Sequence, residues 1–131
     1  MSGFREWANY SRYYSPKEEV KINQHTLFIL NSSLHYCAND GAEYKVPTKT
    51  ISDLGSIPKL LWPILPRDEF PSSYFLHDYL CEQNWISRID TDKLLHEALI
   101  HSRASKWKVR IIYIGVRIGA WVAKVKNWYL K

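Results

Sequence analysis

The spacing of apolar residues changes period once along this 131-residue chain, and that change limits what it can fold into. Up to Ile51 the apolar residues come in short runs broken by turn formers. Residues 25–30 end at Asn31-Ser32-Ser33, residues 34–38 run into Asn39-Asp40-Gly41, and residues 43–51 alternate loosely through Tyr44, Val46 and Ile51. Such runs predict short strands, with a Gly where a tight turn needs a positive φ. Pro47 has no N–H for a ladder, so the third run belongs at an edge or a bulge. Beyond Ile51 the apolar spacing becomes helical. Phe75, Leu76, Tyr79 and Leu80 share one face, as do Leu94, Leu95, Ala98 and Leu99. Helices are therefore expected from 71 or 72 to about 84, over 92–101, and over about 105–129. A shorter one, capped by Ser56 with Pro58 in its first turn, is expected to reach Trp62. Strands grouped before helices make an α+β fold: a small N-terminal antiparallel sheet followed by about four helices.

The length suits a single domain. Residues 1–17 read as an aromatic N-terminal arm, with Tyr10, Tyr13 and Tyr14 close together and a break at Ser15-Pro16. Residues 18–131 read as one α+β domain with a basic C-terminal helix. The first residues lack the apolar core of a signal peptide. Cys37 and Cys81 are too few for a disulfide scaffold and read as free thiols. The net charge of +5 is unevenly spread. Up to Glu97 there are ten Lys and Arg against thirteen Asp and Glu; after it there are eight basic residues and no acidic one. A tail of one sign points to an anionic partner, a membrane surface or nucleic acid, or to a basic helix packed on an acidic body. Residues 109–125 are the most apolar run, but Arg117 near their middle would cost about 2.5–3.5 kcal/mol in a bilayer, so no transmembrane segment is expected. Lying on a membrane stays open. Arg103, Arg110, Arg117 and Lys124 recur every seven residues, a cationic line bordered by Trp121 and Trp128, and are the expected contacts to an anionic partner.

Polar residues that carry chemistry concentrate between Ile51 and Asp92. Asp53 follows a strand and precedes a Gly-containing turn. His77 and Asp78 are helix neighbours about 100° apart, so they flank the apolar stripe without facing each other. His77 and Cys81 share a face and make a possible metal edge. Asp92 is expected to open the next helix. If the two helices pack antiparallel across the turn at 85–88, Asp53, His77 and Asp92 converge. Two carboxylates and an imidazole can hold a divalent cation, or pair a general base with an orienting carboxylate. The same residues also serve as caps and as a closed polar network.

Taken together, four stretches resemble a family of small phage and prophage proteins defined only as a domain of unknown function, the thirteen-fifty-three family. They are Ser52-Asp53-Leu54-Gly55-Ser56-Ile57-Pro58, His77-Asp78-Tyr79-Leu80-Cys81, Ile86-Ser87-Arg88-Ile89-Asp90-Thr91-Asp92 and Tyr113-Ile114-Gly115-Val116-Arg117. Ser52, Gly55 and Cys81 depart from the family pattern, which has Thr, Ala and Tyr there. The resemblance implies a phage or prophage origin, with host cytoplasm, a membrane-peripheral place or the virion as settings, and no settled activity.

Two functions follow as expectations. One is a small hydrolase acting on host envelope phospholipid or peptidoglycan. It would use His77, Asp78, Asp53 and Asp92 catalytically, with a divalent cation held by Asp53, His77 and Asp92 and support from Ser56, Pro58 and Arg88. The other is a non-enzymatic binding protein, in which the Asp/His set is structural and the basic helix contacts an anionic host or virion partner.

Overall fold

A computed structural model describes residues 2–13, 27–52 and 69–130, the last four of them as backbone alone. Strands β1 (Gly3–Phe4), β4 (Leu34–Cys37) and β5 (Glu43–Val46) form one antiparallel sheet in the order β1-β4-β5. Strands β2 (Tyr10–Tyr13), β3 (Leu27–Leu30) and β6 (Ile51–Ser52) form a second, in the order β2-β3-β6. Helices α1 (Pro71–Cys81), α2 (Arg88–His101) and α3 (Lys106–Leu130) follow. The α+β fold is as expected, but the sheet is divided in two. Three helices stand among the described residues where four were expected; the short one at 56–62 lies outside them.

Local chemistry accounts for the division. The run at 43–51, expected as one strand, stops at Val46 because Pro47 cannot extend the ladder. Residues 47–50 turn instead. Thr50 Oγ1 donates to the Pro47 carbonyl at 2.7 Å and Lys49 takes a positive φ of 72°. The turn passes the chain to the other sheet, where Ile51 pairs with Ile29 and Ser52 with Phe28. The β4–β5 hairpin closes as read: Gly41 sits at φ 91° and Ala38 N–H donates to the Ala42 carbonyl at 2.8 Å.

The core lies where the sheets meet α1. Leu34, Tyr36 and Val46 from the first sheet and Leu30 from the second are buried with Tyr74, Phe75, Leu76 and Leu80 of α1. Leu95, Ala98 and Leu99 of α2, and Val109, Ile112 and Val116 of α3, extend it. Helix α2 packs between α1 and α3. It begins at Arg88, a turn earlier than expected, because extended Ser87 caps it: its hydroxyl accepts from Asp90 N–H at 3.1 Å. Asp92 therefore lies inside the helix rather than opening it, and shares a face with Arg88.

Candidate functional site

Helices α1 and α2 place His77 and Asp92 against each other. His77 Nε2 donates to Asp92 Oδ1 at 2.7 Å, and the two residues are 2% and 0% exposed. Arg88, one turn before Asp92, donates from Nε to the same oxygen at 3.0 Å. Arg117 reaches in from α3 and donates from Nη1 to Asp92 Oδ2 at 2.6 Å. One fully buried carboxylate thus ties three helices together, with donors on both oxygens. Arg88 also reaches the Val116 carbonyl at 3.4 Å, a second tie to α3.

The electrostatics follow from burial and pairing. Burial alone would lower the His77 pKa, but the nearby Asp78 carboxylate, the hydrogen bond to Asp92 and the Cys81 sulfur outweigh it and raise the imidazole to about 10. Burial alone would raise the Asp92 pKa, but His77, Arg88 and Arg117 hold it below the ordinary 3.8. At neutral pH the pair is imidazolium and carboxylate. A ring held protonated is a poor general base.

The remaining expected residues divide. Asp78 turns the other way, accepting from the Ser52 hydroxyl of β6 while its Oδ1 stays 3.8 Å from His77 Nδ1. Asp53, Ser56 and Pro58 lie outside the described residues. Cys81, a free thiol, is exposed at the end of α1, with Sγ 3.6 Å from His77 Nε2 and 3.9 Å from Nδ1. A sulfur nearly equidistant from both nitrogens lies on neither lone-pair line.

His77, Cys81 and Asp92 each offer one ligand atom, all within 4.8 Å of one another. The set has the soft and hard donors of a transition-metal site. Its surroundings fit one poorly. Asp92 already carries two guanidiniums within 3.0 Å, and a divalent cation on the same carboxylate would face both.

The cationic line does not survive as a face. Arg103 sits in the turn before α3 with φ 64°. Arg117 is taken up by Asp92, a role that seven-residue spacing along one helix does not reveal. Arg110 and Lys124 are exposed.

Helix α3 is apolar around most of its circumference, and only one side of it is covered. Val109, Ile112 and Val116 face the body, whereas Ile118, Val122 and Val125 are exposed. They join Trp107, Ile111, Ile114 and Trp121, all between 37% and 65% exposed. Residues 107, 111, 114, 118, 121 and 125 step by four and three, which makes one continuous stripe along five turns. Lys106, Arg110 and Lys124 border it, and the helix has no acidic residue. No helix among the described residues is long and apolar enough to cross a membrane.

A family model described as a protein of unknown function, DUF1353, matches residues 28–116. No curated protein and no solved structure matches the chain. The matched span contains the whole His77–Asp92–Arg88 cluster and stops one residue short of Arg117.

Proposed function

The chain belongs to the DUF1353 family, and from that premise we propose that it is a non-catalytic docking protein that lies on an anionic lipid surface. One observation carries the reading: α3 presents five turns of exposed apolar side chains, flanked by cations and free of acids. An apolar stripe with Trp and cationic borders is the pattern of a helix lying in a bilayer interface. Each exposed cation near an anionic bilayer adds about 1 kcal/mol at physiological salt. Nucleic acid fits less well, because phosphate contacts need donors at the centre of the face, where this stripe has Ile114 and Ile118. A second copy fits less well, because two α3 helices would bring cations together with no acid to pair them. In this reading the buried network clamps α3 so that its inner face stays packed and its outer face stays free. In the phage or prophage setting that the family resemblance implies, the surface would be a host membrane.

Hydrolysis is the weaker reading. A base must meet its substrate, and His77 is buried, paired and held protonated.

The test is co-sedimentation with vesicles of phosphatidylglycerol and phosphatidylethanolamine against phosphatidylcholine alone. Binding to the anionic vesicles, lost in Ile114→Glu/Ile118→Glu and weakened by high salt, is expected. Equal binding by the double variant refutes the stripe as the contact. A preference for duplex DNA over vesicles, or a dimer in solution that buries the stripe, refutes the lipid surface.

A further inference from the structure

Beside the docking stripe, α2 and α3 leave a slot of about 420 Å³ between them. That is within the range of small-ligand pockets, about 300–1,000 Å³. Its walls are apolar: buried Val109, the Tyr113 ring, and Ile100, which is 55% exposed at the last turn of α2. The His96 ring meets Tyr113 edge-on with centroids 5.2 Å apart, closing one side. Lys106 and Arg110, one turn apart on α3, also line it and are exposed. The helix uses its other central cations internally, Lys108 on Glu69 and Arg117 on Asp92. Lys106 and Arg110 have no carboxylate partner among the described residues.

We propose that this slot binds one long-chain anionic amphiphile, with its acyl chain between α2 and α3 and its acidic head between Lys106 and Arg110. A small anion would leave the apolar walls in water, and a neutral lipid would leave two cations unpaired; a charged head on an apolar chain uses both halves. The proposal rests on the surface-docking reading for its setting. Trp107 and Ile111 of the stripe adjoin Lys106 and Arg110 in the chain, so a lipid drawn from the surface would enter beside the docked face. The binding chemistry itself is local to the slot.

Isothermal titration of the full chain tests it, with single-chain amphiphiles kept below their micelle concentration. The probes are a fatty acid, a lysophospholipid with a phosphate head, the uncharged alcohol of the same chain length, and inorganic phosphate. Saturable one-to-one binding of an acidic amphiphile is expected, at least tenfold tighter than the alcohol or phosphate. A carboxylate-only or phosphate-only preference identifies the head group and supports the slot equally. Ile100→Glu and Lys106→Glu/Arg110→Glu, both at exposed positions, should each weaken binding tenfold or more. Ile114→Glu/Ile118→Glu should leave it unchanged while abolishing vesicle docking. Loss of vesicle docking in the wild type with retained amphiphile binding would sink the docking reading and keep the slot. Equal binding of the alcohol, equal binding of phosphate, or no saturable binding overturns the slot.

Discussion

Replacing Asp92 with Asn keeps the shape of the residue and removes its charge, so it isolates the electrostatic role of the network. Three donors at 2.6–3.0 Å lose their counter-charge, and the new amide points N–H groups at a guanidinium. Stranding a buried charge costs about 3–5 kcal/mol. Arg88 and Arg117 have side chains 39% and 33% exposed and can recover some water, whereas His77 at 2% cannot. The lower end of that range, about 3 kcal/mol, is therefore expected. That is a large part of the roughly 5–15 kcal/mol that holds a domain folded. Urea titration followed by tryptophan fluorescence measures it, and Arg117→Met in a double-mutant cycle should show strong coupling to Asp92. The pH dependence supplies a second readout. Folding raises His77 from 6.5 to about 10, so its contribution is whole below pH 6.5 and is lost as pH climbs through about 10. Asp92 is held low, so its contribution is present above its ordinary 3.8 and is lost as the medium acidifies below that value. Wild type should weaken steadily between pH 6.5 and 10, and Asp92→Asn should flatten that slope. An Asn variant within about 0.5 kcal/mol of wild type at both pH 6 and pH 9.5 would refute the network as the clamp on α3.

Two further outcomes are expected. Metal analysis of the purified protein should find no stoichiometric transition metal bound through His77, Cys81 and Asp92, because Arg88 and Arg117 oppose a cation there. A full equivalent of zinc that disappears in His77→Ala would overturn this and restore the metallohydrolase reading. Tyr74 is fully buried and its hydroxyl has no hydrogen-bond partner among the described residues, so Tyr74→Phe should raise stability by about 1 kcal/mol, measured by the same urea titration. A loss of that size would mean that the hydroxyl has a partner.

Much of the fold is legible in the sequence, because period and punctuation are local properties. The Asn39-Asp40-Gly41 turn, the β4 alternation of buried Leu34 and Tyr36, and the α2 stripe of Leu95, Ala98 and Leu99 follow from residue type and spacing. The start of α2 is ambiguous in the sequence because Ser87 and Asp92 are both capping residue types, and only the observed cap at Ser87 decides between them. The split of 43–51 across two sheets was not legible, since Pro47 signals an interruption and not its destination.

The candidate site divides in the same way. The sequence alone determined which polar residues cluster between Ile51 and Asp92, that the last third of the chain is cationic without acids, and that Arg117 bars a membrane span. Only the tertiary structure decided that Asp92 is a closed knot among His77, Arg88 and Arg117. Spacing along one helix cannot say which of four cations at seven-residue intervals meets a carboxylate on another. It also decided which apolar side of α3 is covered. A helix that is apolar around most of its circumference does not specify its packed face; the position of α2 does, by taking Val109, Ile112 and Val116 and leaving Ile114, Ile118 and Trp121 in water.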